Sequence, residues 1–216
     1  MNTITATPIV FVVDDDAAVR ESMKSLLQTS GWRAETFASA HAFLARPRAL
    51  APSCLVLDVL LPDCSGLDLQ TRVTVERPDM PVIFITGCGD VSTSVQAMKA
   101  GASEFLTKPF RNDVLVDAIR QALDRSRRAL ARDAHMKTLQ DSYTSLTPRE
   151  REVMVLVVSG LLNKQVGGEL GISEITVKAH RGQVMRKMKA DSLPALVNMV
   201  ASLGLGPRFP DLSLAS

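Results

Sequence analysis

The sequence predicts two domains of different fold class: a doubly wound α/β domain with a five-stranded parallel sheet, then a small all-α domain of four helices with a helix-turn-helix. In residues 1–120 short apolar runs alternate with amphipathic segments, whereas residues from 146 onward contain only helical patterns separated by short turns. The charge divides similarly: residues 1–120 carry 11 basic and 14 acidic side chains (net −3), and residues 121–216 carry 14 basic and 9 acidic (net +5). The formal total of +2 therefore hides an acidic half and a basic half.

Five apolar runs predict the strands of the sheet, three of them continuous (9–13, 54–57 and 82–85) and two weaker (34–37 and 104–107). Runs of Val, Ile and Leu without polar alternation are typical of strands buried on both faces, as in parallel sheets covered by helices. Helical patterns follow the runs, at 17–29, 39–45, 66–76, 91–100 and from 112 onward. This alternation predicts a doubly wound domain.

The helix predicted from residue 112 meets no Gly or Pro before Pro148, so it can extend beyond the first domain. Residues 120–137 carry six basic side chains against two acidic ones and only a thin apolar stripe. This composition predicts a solvated, basic helical linker. We accordingly expect the first domain at 1–122, the linker at 123–144 and the second domain at 145–216.

The second domain opens with Thr147-Pro148-Arg149-Glu150, a capping box with proline at the first helical position. Helices are predicted at 148–158, 163–170, 174–189 and 193–203. The three residues 171–173 between the second and third helices give the spacing of a helix-turn-helix.

In a doubly wound sheet, functional side chains collect at the carboxyl ends of the strands. The sequence places five such residues there: Asp14, Asp15, Asp58, Thr86 and Lys108. Three carboxylates at one edge repel one another unless a cation lies among them, and Mg²⁺ prefers oxygen ligands. Lys108 and the Thr86 hydroxyl could then bind a phosphoryl group, with Asp58 as the candidate nucleophile.

Four segments resemble the receiver domain of two-component response regulators: VVDDD (12–16), LDVLLPDCSG (57–66), ITG (85–87) and GASEFLTKPF (101–110). The resemblance covers about 120 residues. It implies a flavodoxin-like receiver fold in which Asp58 accepts a phosphoryl group from a sensor histidine kinase.

The same resemblance assigns roles to the residues around the acceptor. Mg²⁺ would be bound by Asp14, Asp15, Asp58 and the backbone carbonyl of Leu60. Lys108 would contact the phosphoryl group.

Thr86 and Phe105 would form a switch pair, with Thr86 drawn toward the phosphoryl oxygen and the ring of Phe105 turning inward. This change would alter the face made by 91–100, 104–107 and 112–122. Two receivers would then pair into a homodimer.

Two departures from the family pattern concern the lifetime of the phosphorylated state. Leu60 and Cys88 each stand two residues past a site residue, at positions that tune hydrolysis of the acyl phosphate in the family. Neither side chain orients a hydrolytic water well, so we expect a long-lived phosphorylated form.

The helix predicted at 174–189 has two faces. Val177, Val184 and Met188 form an inward stripe at helical spacing, and the opposite arc holds cations, a Gln and two very small residues. Such an arc suits a helix lying deep in the major groove of DNA. Its members are Lys178, Ala179, Gly182, Gln183, Arg186 and Lys189.

Residues 146–188 resemble the LuxR-type (FixJ/NarL) helix-turn-helix. The resemblance implies that Asn163 and Lys164 open the scaffold helix and that 178, 179, 182 and 183 face the bases. The residues implied to contact the DNA backbone are Thr176, Lys178, His180 and Arg181.

Together these patterns predict a phosphorylation-activated transcriptional regulator that binds double-stranded promoter DNA, with RNA polymerase as a further candidate partner. We expect no enzymatic activity beyond its own phosphorylation and dephosphorylation. An aspartyl-phosphate phosphatase would need a second acidic group near the nucleophile, which Leu60 does not supply. A receiver that works unphosphorylated is disfavoured by the intact acceptor set.

Three cysteines without a CxxC, and no apolar segment long enough to span a membrane, predict a cytoplasmic protein.

Overall fold

The computed structural model describes residues 7–87 and 91–205. The chain divides into two compact units, Met1–Arg132 (the first unit) and Asp133–Ser216 (the second unit). The first contains, in chain order, β1 (Ile9–Val13), α1 (Ala17–Thr29), β2 (Arg33–Phe37), α2 (Ala40–Leu44), β3 (Ser53–Asp58), α3 (Gly66–Glu76), β4 (Val82–Thr86), α4 (Val91–Lys99) and β5 (Glu104–Thr107). Helix α5 (Asn112–Thr144) begins in the first unit, and α6 (Pro148–Val158), α7 (Asn163–Leu170), α8 (Glu174–Met188) and α9 (Leu193–Ser202) follow in the second.

The five strands form one parallel sheet in the order β2-β1-β3-β4-β5. Every residue of β1, β3 and β4 is buried, which is why their sequence runs are continuously apolar. The edge strands β2 and β5 contain exposed and half-buried residues, and their sequence patterns are correspondingly weak. The predicted doubly wound α/β fold is confirmed.

Alternate residues of the strands point to opposite faces and supply two separate cores. On one face, Phe11 and Leu57 pack against helices α2, α3 and α4. Phe43 of α2 and Leu69 of α3 belong to this core. On the other face the neighbouring strand residues Val10, Val12, Val56, Ile83 and Ile85 pack with α1 and the first part of α5. Both faces are therefore covered by helices, as a parallel sheet requires.

The loop after β3 approaches the sheet closely at Gly66, the first residue of α3. A Cβ atom at this position would lie 2.4 Å from the carbonyl oxygen of Asp58 and 3.2 Å from the ring of Phe84. Ser65 caps the helix by accepting a hydrogen bond from the N–H of Leu67. Glycine therefore lets α3 begin directly beneath the end of β3.

Helix α6 of the second unit begins at the predicted capping box, which is present. The Thr147 hydroxyl accepts from the N–H of Glu150, and the Glu150 carboxylate accepts from the N–H of Thr147. Helix α7 ends at Leu170, because the following Gly171 has a left-handed φ of 65°, and the Ser173 hydroxyl then caps α8. Helix α8 ends at Met188, one residue before the predicted end, because Lys189 has a left-handed φ of 54°.

An ion pair links the capping box to α8. The carboxylate of Glu150, which is 5% exposed, accepts a hydrogen bond of 2.6 Å from the Lys187 ammonium. This hydrogen bond, together with that from the N–H of Thr147, holds the pKa of Glu150 below its ordinary value. The contact ties the start of α6 to the last turn of α8.

None of the described helices is both long enough and apolar enough to cross a membrane. Cys54 and Cys64 are free thiols. Cys54 is completely buried in β3, and this burial raises the pKa of its thiol far above the ordinary value, so it is a packing residue. Cys88 lies outside the described residues.

Substituting alanine for Gly66 should destabilise the first unit, because the new Cβ atom would overlap the Asp58 carbonyl oxygen. We expect a loss of about 1–3 kcal/mol in the free energy of unfolding, typical of overpacking. The chain has a single tryptophan, Trp32, which packs against the core of the first unit, so its fluorescence during denaturant unfolding reports on this unit. The control is Gly87→Ala, just past β4 in the same unit, where a new Cβ atom would have no neighbour within 4 Å. An equal effect of the two substitutions would contradict the close approach at Gly66.

The Glu150–Lys187 pair predicts a pH dependence of stability in the second unit. Because the pKa of Glu150 is lower in the folded chain than in the unfolded chain, its contribution is complete above the unfolded value, near 4.5, and is lost as the pH falls through the folded value. Glu150→Gln should remove this dependence and cost about 1.5–3 kcal/mol at neutral pH. Hydrogen–deuterium exchange of α6 and α8 measures both effects. An unchanged pH profile in the variant would contradict this role.

Candidate functional site

Three carboxylates converge at the carboxyl edge of the sheet in the first unit. Asp14 directly follows β1, Asp15 is its neighbour, and Asp58 is the last residue of β3. One oxygen of each lies within 4.8 Å of those of the other two. Asp14 is fully buried and Asp58 is 8% exposed, whereas Asp15 is exposed to solvent. The cluster therefore has one open side.

Lys108, just past β5, holds the two buried carboxylates together. Its ammonium donates hydrogen bonds of 2.8 Å to Asp14 Oδ2 and of 2.8 Å to Asp58 Oδ2. Burial raises the pKa of Asp14 above its ordinary value, against the lowering effect of this hydrogen bond. Burial acts to lower the pKa of Lys108, but its bonds to both carboxylates raise it overall. Lys108 is therefore charged at neutral pH.

Thr86 and Phe105, the other two site residues that the sequence predicts, lie on the neighbouring strands β4 and β5. Thr86 is the last residue of β4 and is fully buried, and its carbonyl accepts a 2.7 Å hydrogen bond from the N–H of Lys108. Phe105 lies on β5 beside Phe84 of β4, with ring centroids 6.1 Å apart. The half-buried ring of Phe105 packs on the edge of the core.

The acidic cluster borders an open cleft of about 400 Å³ that Leu60 and Gly87 also line. The N–H of Leu60 donates a 3.1 Å hydrogen bond to Asp58 Oδ1, and the Leu60 side chain is 65% exposed. An apolar side chain thus lies beside the Asp58 carboxylate. The predicted companion of Leu60, Cys88, falls outside the described residues.

Arg20 belongs to this site although the sequence patterns did not single it out. From the first turn of α1 its guanidinium donates to the carbonyl oxygens of Asp14, at 2.7 Å, and Asp15, at 2.8 Å. Helical side chains lean toward the helix N-terminus, so an arginine four residues into a helix can reach the preceding loop. That spacing is the signal in the sequence. Arg20 fixes the backbone that carries the two acids.

Asp63 anchors the loop between β3 and α3 at a second point. Its carboxylate accepts hydrogen bonds from the N–H groups of Ala40, at 3.2 Å, and His41, at 2.8 Å, at the start of α2. The bond from His41, with that from Ala40, holds the pKa of Asp63 below its ordinary value. The loop that carries Leu60 is therefore tied to the neighbouring helix.

In the second unit, α7, the turn 171–173 and α8 form a helix-turn-helix. Val177, Val184 and Met188 are buried, so the predicted inward stripe of α8 is confirmed. His180 and Arg181 lie half-buried at its margins. The remaining predicted contact residues are all exposed: Lys164, Thr176, Lys178, Ala179, Gly182, Gln183 and Arg186.

Polar contacts preorganise the margins of α8. The Arg181 guanidinium donates a 3.2 Å hydrogen bond to Asn163 Oδ1 at the start of α7, which orients one helix on the other. The Lys178 ammonium lies 3.0 Å from the Glu174 carboxylate one turn earlier. Because both members of this pair are exposed, it is worth little in stability and Lys178 can exchange partners.

Models of two protein families match the chain: the response regulator receiver domain over residues 10–120, and the luxR family of bacterial regulatory proteins over residues 144–200. The chain belongs to the response regulators. This response regulator joins a receiver to a LuxR-type DNA-binding domain and is a phosphorylation-dependent transcriptional regulator, a class of non-enzymatic transcription factors.

Relatives and solved structures match the response regulator along most of its length. It is 47% identical to nodulation protein W of Bradyrhizobium diazoefficiens over 91% of the chain and 87% of the relative. It is 42% identical to the transcriptional regulatory protein FixJ of Azorhizobium caulinodans over 92% of the chain and 94% of the relative. The structure of the response regulator StyR matches with a TM-score of 0.82 at 46% identity, over 91% of this chain and all (100%) of the other.

Proposed function

We propose that Asp58 is the phosphoacceptor and that the chain catalyses only its own phosphorylation and dephosphorylation. The observation that carries this proposal is the Lys108 ammonium, shared between Asp58 and Asp14 at the open cleft. A carboxylate oxygen of Asp58 would form its bond to phosphorus as the donor's bond to phosphorus breaks. Water later accepts the phosphoryl group, which leaves as inorganic phosphate. A sensor histidine kinase is the expected donor.

The acidic cluster fits Mg²⁺. Its donors are all oxygens, the ligands that this ion prefers, and one ammonium bonded to two of three carboxylates leaves negative charge uncompensated. The proposed ligands are Asp14, Asp15, Asp58 and the backbone carbonyl of Leu60. When bound, the ion would offset the charge that accumulates around the phosphoryl group.

Lys108 and Thr86 are proposed to bind the phosphoryl oxygens. Lys108 already contacts Asp58, and Thr86 ends the adjacent strand, in register with Thr107 of β5. Movement of Thr86 toward the phosphate would leave room for the half-buried ring of Phe105 to turn inward. Thr86 and Phe105 would thus carry the signal from the cleft to α4 and β5.

Receiver pairing is proposed to follow through the face that includes α4. Val91, Val95 and Met98 follow one another at helical spacing, and they are 81%, 44% and 47% exposed. An apolar stripe of this kind suits a homodimer interface. The coupling is a population shift, in which the phosphoryl group needs to favour the paired state by only a few kcal/mol.

The exposed face of α8 is proposed to enter the major groove of promoter DNA. Its small and cationic side chains support this role, as do the exposed Lys164 and Thr176 beside it. We assign 1–122 to the receiver, 123–144 to a linker and 145–216 to the DNA-binding domain. RNA polymerase is a proposed partner at the promoter, and the cytoplasm is the proposed location.

The acceptor assignment predicts where a small-molecule phosphodonor modifies the full chain. With Mg²⁺, the wild-type protein should gain the mass of one phosphoryl group, and peptide mapping should place it on Asp58. Asp58→Ala should gain none, and chelation of Mg²⁺ should slow the reaction strongly. Asp68→Ala is the matched control, because this exposed carboxylate of α3 lies outside the cluster. Full phosphorylation of Asp58→Ala would overturn the assignment.

The exposed leucine beside the acceptor predicts slow loss of the phosphoryl group. Because Leu60 cannot orient a hydrolytic water, the isolated phosphoprotein should persist for many minutes, and Leu60→Asn should shorten its half-life several-fold. Leu50→Asn, another exposed leucine (78%), serves as control. Phosphate release from the purified phosphoprotein measures the rate. A wild-type half-life of seconds would contradict this prediction.

A further inference from the structure

Ile175 is a large apolar side chain that the fold leaves almost fully in solvent. It is the second residue of α8 after the Ser173 cap, and 80% of its surface is exposed. At about 100° per residue it lies roughly 160° around the helix from the centre of the buried stripe at Val177, Val184 and Met188. It therefore occupies the middle of the face turned away from the second unit.

The residues that share this face determine what can approach Ile175. Ala179, Gly182 and Arg186 lie within about 40° of it around the helix, and all three are exposed. Two of them are among the smallest residues, so no neighbouring side chain on α8 shields Ile175 from a surface that approaches this face. Lys178 and Gln183 flank the face on either side at larger angles.

Neither stability nor helix formation explains an isoleucine at this position. At 80% exposure it contributes little to the core, and its helix propensity is below that of Ala, Glu or Lys. Single exposed apolar residues are common, so exposure alone carries no argument. The position of Ile175 on the helix does carry an argument, because N-terminal residues of a recognition helix reach base edges.

We propose that Ile175 determines sequence specificity by contacting the C5-methyl group of a pyrimidine in the major groove. The inference rests on the proposed DNA-facing role of α8. The methyl group is the apolar feature of the major-groove edge, and an apolar side chain can contact it. Thymine carries this methyl group, and so does 5-methylcytosine, so the shared chemistry is the methyl itself.

The first experiment selects binding sites from a random double-stranded DNA library with the full chain treated with phosphodonor. Wild-type protein should enrich a motif with a thymine at one fixed position of each half-site. Ile175→Ala should enrich the same motif without that preference. Because the side chain is exposed, this variant should keep its fold, which circular dichroism verifies. Val155→Ala, a partly exposed (43%) valine on α6, should select the wild-type motif.

The second experiment removes the methyl group from the selected DNA. Replacing that thymine by uracil should weaken wild-type binding about fourfold, the effect of one methyl-sized apolar group, and should leave Ile175→Ala binding unchanged. A parallel pair with cytosine and 5-methylcytosine at the same position distinguishes the two sources. Tighter wild-type binding to only one methylated base identifies that base as the ligand.

The outcomes separate this inference from the function on which it rests. If wild-type protein enriches no motif, sequence-specific DNA binding fails and the contact fails with it. If a motif is enriched but Ile175→Ala retains the full uracil penalty, the DNA-binding function stands and the contact is wrong. If the variant changes promoter transcription by RNA polymerase while its motif is unaltered, Ile175 serves a protein contact and the inference is likewise overturned.

Discussion

The Lys108 ammonium, held between the carboxylates of Asp14 and Asp58, is the interaction on which the first unit's function depends. In the chain, Lys108 is 94 residues from Asp14 and 50 residues from Asp58. Only a parallel sheet with β1, β3 and β5 ending at one edge brings them together. Burying two carboxylates is unfavourable without a cation, and the Lys108 ammonium supplies the positive charge that both of them need. Arg20 and Asp63 hold the surrounding loops in place.

In the second unit, the two faces of α8 differ in polarity and in charge. One face of α8 is buried and apolar, and the other presents cations separated by very small residues. The Glu150–Lys187 pair uses one of the basic side chains of α8 internally, leaving Lys178 and Arg186 on the surface. The formal net charge of +2 for the whole chain is the sum of an acidic half, net −3 over residues 1–120, and a basic half, net +5 over residues 121–216.

Much of this could be predicted from the sequence because the decisive patterns are local. Unbroken apolar runs marked β1 and β4, and the Thr147–Glu150 capping box marked the start of α6. Contacts between a side chain and the backbone of another segment were not marked by such patterns, and for Arg20 its spacing from the start of α1 was the only signal. Arg20 and Asp63 act through backbone groups, which leave no residue-type signature at the partner position. The close approach of Gly66 to the Asp58 carbonyl likewise depends on three-dimensional packing.

The central claim is that a phosphoryl group on Asp58 controls how tightly the chain engages DNA. Fluorescence anisotropy with a DNA duplex selected by the protein measures this directly, using full-length wild type and Asp58→Ala with and without phosphodonor and Mg²⁺. Phosphorylated wild type should bind at least about tenfold more tightly than untreated protein, a difference of about 1.4 kcal/mol, while Asp58→Ala should not respond. Equal affinity of phosphorylated and untreated wild type would contradict the account.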